Sequence, residues 1–222
     1  NQPVKMHSPY SSVMSGGPMP ETVWFDGATL NYAEHIFLGM KDQSIAMLFA
    51  SESGQERSIS VTEMWKEVSK LRAYFQQQGV KAGDRIAGYL PNIPEATYAF
   101  LATASLGAVW SCCSQDFGVS SVVDRFAQIK PVLFIAADGY YYNGKTHVRM
   151  SEIDAIRQSL PELKDTLVIN YVGHAVTNSD PAITLYHQLK EADALIPVFE
   201  PVPFDHPLWI LYSSGTTGAP KA

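Results

Sequence analysis

The stretch from residue 85 to residue 113 reads RIAGYLPNIPEATYAFLATASLGAVWSCC and holds a complete strand–helix–strand unit. Apolar and β-branched residues fill 85–90 and 108–113, which is typical of buried strands. Between these strands, Asn92 is a candidate helix cap and Pro94 lies in the first helical turn. Two strands joined by a helix in this way are usually parallel, with a right-handed connection. The stretch therefore predicts a parallel sheet that is covered by helices.

The same alternation continues on both sides of this unit. Ser60 and Glu63 form a capping box, and apolar residues recur along one face of the helix that follows, predicted over residues 62–78. The other elements predicted from periodicity are strands at 132–137, 166–172 and 208–212, helices at 120–130, 151–160 and 185–191, and a hairpin of strands 44–50 and 56–61. Together they predict an α/β fold with a largely parallel sheet and covering helices.

The composition excludes several classes of protein. At 46% hydrophobic and 17% charged residues the chain resembles ordinary soluble proteins, and no stretch reaches the roughly 20 apolar residues of a membrane helix. The net charge is -6 and the basic residues are scattered, so we expect no nucleic-acid partner and no membrane partner. Residues 1–20 are rich in Ser, Gly, Pro and Met and are predicted to be a flexible N-terminal arm without a secretory signal. Residues 21–222 contain no linker rich in Pro and Gly.

The only two cysteines, Cys112 and Cys113, are adjacent in the sequence. A disulfide between neighbours requires strained geometry, so we expect two reduced thiols on opposite faces of a strand, as in a cytoplasmic protein. The six histidines are dispersed without the spacing of metal ligands, and no metal site is predicted.

Residues 211–221 carry the most informative pattern and read LYSSGTTGAPK. Glycines allow the backbone to turn tightly and direct N–H groups into one concavity, hydroxyl groups add donors, and Lys221 supplies a positive charge. These features favour a site for a polyphosphate. The pattern is neither a Walker loop, which ends in Gly-Lys-Ser/Thr, nor a Gly-x-Gly-x-x-Gly dinucleotide loop. On composition alone, a flexible turn after a strand is an equally good explanation.

Residues 213–221 are similar to the signature loop of the adenylate-forming superfamily, whose pattern is Ser/Thr-Ser/Thr-Gly-Thr-Thr-Gly-x-Pro-Lys. Every fixed position of that pattern matches. Within the superfamily, the chain resembles the acetoacetyl-CoA synthetase branch of the acyl-CoA synthetases. The segments that carry this likeness are 30–34, 88–92, 107–114, 116–119, 124–131 and 142–145.

The resemblance implies that residues 21–222 form the N-terminal portion of the large domain of an adenylate-forming enzyme. It implies a reaction in which ATP converts acetoacetate to acetoacetyl-AMP and pyrophosphate, after which coenzyme A takes the acyl group and releases AMP. Synthesis of acetyl-CoA or propionyl-CoA, and a non-catalytic scaffold that keeps the loop, are the alternatives. In the superfamily the catalytic residues lie downstream of the loop, so we expect no catalytic residue in this chain and no activity from it alone.

The resemblance also implies a set of binding residues. The ATP phosphates, together with Mg2+, are expected to contact Ser213, Ser214, Gly215, Thr216, Thr217, Gly218 and Lys221. Coenzyme A is expected to contact Lys145, Asp116 and Phe117. A solvated turn at Lys145, and a loop at Asp116 and Phe117 that only packs over a strand end, would explain these residues equally well. We expect small-molecule substrates as partners, together with possible self-association through exposed apolar surface.

Overall fold

The architecture comes from a computed structural model that describes residues 4–174, 180–191, 198–213 and 220–222. The strands are β1 (Ser12–Gly16), β2 (Thr22–Asp26), β3 (Thr29–Leu30), β4 (Ile45–Ala50), β5 (Glu56–Ser60), β6 (Arg85–Tyr89), β7 (Val109–Cys113), β8 (Leu133–Ala137), β9 (Gly139–Tyr142), β10 (Lys145–Val148), β11 (Asp165–Ile169), β12 (Ile183–Leu185) and β13 (Val202–Pro203). The helices are α1 (Tyr32–Phe37), α2 (Val61–Gln77), α3 (Pro94–Ser105), α4 (Val119–Ile129) and α5 (Met150–Gln158), with a short 3-10 helix at Tyr186–Gln188.

Five of these strands form one parallel sheet in the order β12, β11, β8, β6, β7. Strand β6 lies between β7 and β8, with Gly88 opposite Cys112 on one side and opposite Ile135 on the other. The chain therefore runs outward from β6 to β7 and then crosses back to β8. In sheets with such a reversal, ligands usually bind at the carboxyl ends of the two strands where the order changes, which are β6 and β8 here. The predicted α/β fold with a parallel sheet is confirmed.

Helices cover both faces of the sheet. On one face, α2 and α3 pack over a buried cluster that includes Ile86 and Trp110. On the other face, α4 and α5 pack over a second cluster that includes Tyr89 and Phe134. Because the first crossover lies on one face and the next two lie on the other, the sheet is buried from both sides.

The two cysteines follow this division. Cys112 packs against the cluster under α2 and α3, and Cys113 belongs to the cluster under α4 and α5. Neither residue forms a disulfide. The prediction of two free thiols on opposite faces of a strand is confirmed.

The predicted start of α2 is correct, whereas the predicted cap of α3 is wrong. The hydroxyl of Ser60 accepts the N–H of Glu63 at 3.1 Å, as the capping box predicts. At α3 the capping position is Ile93, which makes no side-chain hydrogen bond, instead of Asn92. Pro94 at the first helical position has no N–H, and its fixed φ suits a helix, so α3 begins there without a capping side chain.

The helix predicted over 185–191 is wrong. Strand β12 instead pairs in parallel with β11, and only the 3-10 helix follows it. The hydroxyl of Thr184 donates to the buried carboxylate of Asp165 at 2.6 Å, and the residues on either side of Thr184 pack on Val168. These contacts hold the chain extended through Leu185, the residue at which the predicted helix would begin.

The strand predicted over 208–212 is reduced to a single parallel bridge between Trp209 and Trp110. The segment makes two backbone hydrogen bonds with Trp110 at the outer edge of β7. It then leaves that edge, because the Tyr212 hydroxyl donates to a main-chain carbonyl of α4 at 3.1 Å. The side-chain contact with the helix thus replaces further pairing with the sheet.

The segment predicted as a flexible arm over residues 1–20 contains regular structure where it is described. Strands β1 and β2 form an antiparallel hairpin. Lys5 and His7 contact the carboxylate of Glu34 on α1. Burial raises the pKa of the Glu34 carboxyl, but the hydrogen bonds from Lys5 and His7 outweigh burial and hold that pKa below its usual range. These contacts attach the arm to α1.

The remaining predicted elements agree with the structure to within a few residues. The hairpin predicted at 44–50 and 56–61 is the antiparallel pair β4 and β5. The helices predicted at 120–130 and 151–160 are α4 and α5, and the strand predicted at 132–137 is β8. No helix in the described parts of the chain is long and apolar enough to cross a membrane.

Substitution of Gly88 by Ala is expected to destabilise the fold. A Cβ atom at this position would lie 2.8 Å from the ring atoms Cη2 and Cζ2 of Trp110 and 3.1 Å from Sγ of Cys112. Trp110 is buried, so relief of the overlap requires movement of the core. We expect the free energy of unfolding to fall by about 1–3 kcal/mol in urea denaturation.

A double variant tests the cause of this loss. The substitution Trp110→Phe removes the ring atoms that would contact the new methyl group. Gly88→Ala should therefore cost at least about 1 kcal/mol less in the Trp110→Phe background than in the wild type. An equal cost in both backgrounds would contradict steric overlap as the explanation.

Candidate functional site

The loops that follow β6, β7 and β8 meet at the carboxyl edge of the sheet. The hydroxyl of Tyr89, at the end of β6, lies 3.0 Å from the carbonyl oxygen of Gln115 and 2.8 Å from that of Phe117, and donates to this loop. The Nε2 atom of Gln115 in turn donates to the carbonyl of Ala137, the last residue of β8, at 2.6 Å. The loop after β7 is therefore fixed across the carboxyl ends of β6 and β8.

The side chains that fix this loop are buried. Burial raises the pKa of the Tyr89 hydroxyl to about 12, although the charge of Arg149 opposes the shift, so the hydroxyl stays a donor at neutral pH. Gln115 is 1% exposed, and its Oε1 atom has no hydrogen-bond partner among the residues that the structure describes. Buried acceptors without a donor are uncommon in native proteins. Sequence analysis missed both Tyr89 and Gln115.

Asp138 fixes the loop that follows β11. Its carboxylate is fully buried and accepts the N–H groups of Tyr171 at 2.7 Å, Val172 at 2.9 Å and His174 at 2.9 Å. These hydrogen bonds turn the chain away from the sheet, so β11 ends at Ile169 and not at 172 as predicted. Sequence analysis missed Asp138, whose one local signal is its position directly after a buried strand.

The three predicted coenzyme A contacts lie on two segments at this edge. Asp116 and Phe117 are exposed in the loop after β7. Lys145 is exposed at the start of β10, directly after the turn of the β9–β10 hairpin. Asn143 and Gly144 form that turn with φ angles of 50° and 70°, which are typical of a two-residue hairpin loop. The loop follows β7 and the hairpin follows β8, and both of these strands pair with β6. The binding roles of the three residues stay predictions.

One face of the β9–β10 hairpin combines aromatic rings with cationic side chains. The ring of Tyr140 stacks on His147 with centroids 4.9 Å apart, and the guanidinium carbon of Arg149 lies 5.3 Å from the Tyr140 centroid. Tyr142 and Lys145 pair across the two strands two positions further out, and so lie on the same face. Aromatic rings stack on bases and cations bind phosphates, so this face has the chemistry to hold a phosphorylated nucleotide.

The predicted phosphate loop closes at Ser213 and Lys221. The N–H of Ser213 donates to the carbonyl of Lys221 at 3.0 Å, and the N–H of Lys221 donates back at 3.4 Å. Both residues are exposed, and the structure brings the two ends of the predicted loop together. The other predicted contacts, Ser214, Gly215, Thr216, Thr217 and Gly218, lie outside the described residues.

Helix α4 contacts both ends of this loop. The main-chain carbonyl of Arg125 accepts the Tyr212 hydroxyl, and the Arg125 guanidinium carbon lies 5.8 Å from the Tyr212 ring centroid and 4.9 Å from that of Phe117. The Nε2 atom of Gln128 donates to the carbonyl of Pro220 at 2.8 Å. Sequence analysis assigns neither Arg125 nor Gln128 a role. The helix therefore connects the phosphate loop with Phe117, a predicted coenzyme A contact.

A cavity of about 400 Å³ lies between α3 and β7. Phe100, Trp110 and Trp209 line it together with the Cys112 thiol. Among the described residues, no group of three or more His, Cys, Asp or Glu side chains is arranged to hold a metal ion.

The doubly wound sheet and the loop that α4 supports define an α/β domain of the nucleotide-binding class. The chain belongs to the family of AMP-binding enzymes, whose profile matches residues 39–222.

Individual relatives narrow this assignment. The chain is 42% identical over 207 residues to the acetoacetyl-CoA synthetase of Macaca fascicularis, covering 89% of this chain and 31% of the relative. It is 40% identical over 213 residues to the acetoacetyl-coenzyme A synthetase of Rhizobium meliloti (strain 1021), covering 95% and 32%. The solved structure of acetoacetyl-CoA synthetase from Streptomyces lividans matches with a TM-score of 0.91 and 44% identity, over 98% of this chain and 33% of that one. The predicted resemblance is confirmed, and the chain spans about a third of the length of these relatives.

The two thiols are expected to react slowly in the native protein. Burial, with the neighbouring cysteine adding to it, raises the pKa of Cys112 to about 12, and burial raises the pKa of Cys113 to about 11. The thiolate is the reactive form, and an unfolded cysteine has a pKa of about 8.5. At about pH 8, alkylation by iodoacetamide should therefore be at least about a hundredfold slower than in urea, as measured by intact mass. Equal rates in both states would contradict burial of the thiols.

The same shifts predict how stability changes with pH. The native pKa values exceed the unfolded value, so the contribution of the neutral thiols is complete below about pH 8.5. It is lost as the pH rises from there toward the native values of about 11 and about 12. Replacing both cysteines with Ala should weaken this alkaline loss in urea denaturation at several pH values. An unchanged pH dependence would show that other groups cause it.

Proposed function

We propose that the protein that contains this chain is an acid–thiol ligase that makes acetoacetyl-CoA from acetoacetate, ATP and coenzyme A. In the first step, the carboxylate of acetoacetate attacks the α-phosphorus of ATP and pyrophosphate leaves. In the second step, the thiol of coenzyme A attacks the acyl carbon of acetoacetyl-AMP and AMP leaves. The observation that carries the proposal is 40% to 44% identity to acetoacetyl-CoA synthetases over nearly the whole chain.

The phosphate loop has a physical role in the first step. Negative charge accumulates on the departing pyrophosphate, and fixed N–H groups, hydroxyls and a lysine stabilise that charge. Ser213 and Lys221 are exposed at the closed end of the loop, where a hydroxyl and an ammonium group can reach a phosphate. We assign the same role to Ser214, Gly215, Thr216, Thr217 and Gly218. Mg2+ would arrive bound to the ATP phosphates, as is usual for this ion.

The second step requires coenzyme A at the carboxyl edge of the sheet. Lys145 and the rings beside it on the β9–β10 hairpin offer a cation and stacking surface for its phosphorylated nucleotide. Asp116 and Phe117 would border the remainder of the molecule. The contact of Arg125 with both Phe117 and Tyr212 supports this arrangement, because it connects the coenzyme side with the ATP side.

The state of the cysteines bears on the cellular location. Two free thiols fit a reducing compartment, so we propose a cytoplasmic location. The partners would be small-molecule substrates, without nucleic acid or membrane. Trp209 is 44% exposed and Leu211 is 71% exposed, and this apolar surface supports self-association of the 222-residue chain.

Relatives of this chain differ in the acid for which they are named. The malonamoyl-CoA synthetase vrtB of Penicillium aethiopicum is 35% identical over 217 residues, covering 91% of this chain and 30% of the relative. A relative named for a different acid is thus also similar to this chain over most of its length. Acetate and propionate are further candidates because related synthetases activate short acids.

Acetoacetate should be strongly preferred by the full-length protein. We expect kcat/KM for acid-dependent pyrophosphate exchange to be at least about a hundredfold higher with acetoacetate than with acetate or propionate, because these acids lack the second carbonyl group. Malonamate belongs in the same comparison. A higher value for any of the other acids would reassign the substrate. The absence of exchange with every acid would instead support a non-catalytic scaffold.

Lys221→Ala should slow the first step selectively. Loss of one positive group from the leaving pyrophosphate is expected to lower the rate of adenylate formation by about a hundredfold. Thioester formation from added acetoacetyl-AMP should change little, because pyrophosphate is absent from that step. Lys81→Ala is the matched control, since Lys81 is exposed and precedes the amino end of β6. Equal losses in both steps would argue against a phosphate contact.

A further inference from the structure

The amide side chain of Gln128 contacts the backbone on both sides of Lys221. Its Nε2 atom donates to the carbonyl of Pro220 at 2.8 Å. Its Oε1 atom accepts the N–H of Ala222 at 3.3 Å. Two hydrogen bonds from one amide group to the residues before and after Lys221 restrict the position of the lysine backbone. Both hydrogen bonds are made to backbone atoms, and neither involves the Lys221 side chain.

Gln128 is itself fixed on a rigid part of α4. Its Nε2 atom also donates to the carbonyl of Asp124, one turn earlier, at 2.6 Å. The neighbouring residues Phe126 and Ile129 are buried in the core cluster under α4 and α5. The last turn of the helix therefore cannot move without disturbing the core, and it offers a fixed reference for the segment around Lys221.

The other end of the loop is attached to the same helix. Tyr212 donates to the main-chain carbonyl of Arg125, and the Ser213–Lys221 bridge joins the two ends of the loop. Three contacts thus fix the closed end: Tyr212 on Arg125, Ser213 on Lys221, and Gln128 on the residues that flank Lys221. Of these three, only the contact of Gln128 connects the residues beside Lys221 directly to a helix outside the loop.

We propose that Gln128 is a positioning residue that orders the backbone of Lys221 before ATP binds. The inference rests on the proposed function, in which Lys221 contacts the ATP phosphates. A segment that is ordered in advance loses less conformational entropy when the ligand binds, so the affinity for ATP is higher. Gln128 would act through Lys221 and would not itself touch the nucleotide.

The substitution Gln128→Met tests this role in the full-length protein. Methionine has a similar length and helix propensity but neither donates nor accepts these hydrogen bonds. We expect the dissociation constant for MgATP, measured by calorimetry, to rise about threefold to tenfold, the effect of losing one or two hydrogen bonds. The kcat of acetoacetate-dependent pyrophosphate exchange at saturating MgATP should change less than about twofold, because the bound state is the same.

Amide hydrogen exchange gives a readout that does not depend on activity. The N–H of Ala222 loses its acceptor in Gln128→Met, so amide hydrogen exchange at Lys221 and Ala222 should become faster when no nucleotide is bound. Asp124→Asn is the matched control on the same helix, because its side chain is exposed and its contact with Gln128 comes from the main-chain carbonyl, which the substitution retains. It should leave both the exchange and the dissociation constant unchanged.

The outcomes separate this inference from the proposed function. Unchanged amide hydrogen exchange at Lys221 and Ala222 would overturn the positioning role, and so would faster amide exchange with an unchanged dissociation constant for MgATP. A wild-type protein that binds MgATP but shows no pyrophosphate exchange with acetoacetate would contradict the proposed substrate. The Gln128 result would remain valid in that case. A wild-type protein that does not bind MgATP would overturn both.

Discussion

The pairing of β6 with β7 on one side and with β8 on the other is the constraint on which the rest of the structure depends. Because β6 is bonded on both sides, the chain must reverse its direction across the sheet after β7. Right-handed crossovers then place α3 on one face and α4 on the other. The close approach of Trp110 to Gly88 shows how little space the central pair leaves for any other residue at that position.

The reversal leaves loops at the carboxyl edge of the sheet that the backbone hydrogen bonds of the sheet do not hold in place. The backbone of loops at the carboxyl ends of parallel strands has few hydrogen-bond partners in regular secondary structure. Buried side chains provide hydrogen bonds to these loops instead. Tyr89 and Gln115 fix the loop after β7, and Asp138 fixes the loop after β11. The residues predicted to touch coenzyme A are exposed beside these buried ones. Rigid support beneath exposed contact residues is what a binding surface requires.

Helix α4 has a second function beyond covering the sheet. Its buried side packs in the core, while Arg125 and Gln128 contact the segments before and after the phosphate loop. One rigid helix thus supports both ends of the loop and also contacts Phe117 on the opposite side of the site. In an enzyme that uses ATP and coenzyme A in succession, such a shared support would keep the two sites in a constant relative position.

The sequence by itself determined the elements with strong local patterns, from the capping box of α2 to the strand–helix–strand unit of 85–113. It also determined the family through the loop that ends at Lys221, since such a motif consists of adjacent residues. The local pattern wrongly predicted a helix at 185–191, because pairing with β11 keeps the chain extended through Leu185. It also wrongly predicted a flexible arm, because the carboxylate of Glu34 contacts His7 in that segment.

Only the tertiary structure decided which residues support the site. Gln115 and Ala137, Asp138 and Tyr171, and Gln128 and Pro220 are pairs far apart in the chain. A side chain that bonds a distant backbone group leaves no periodic signal, because its partner is set by how strands and helices pack and not by its neighbours in sequence.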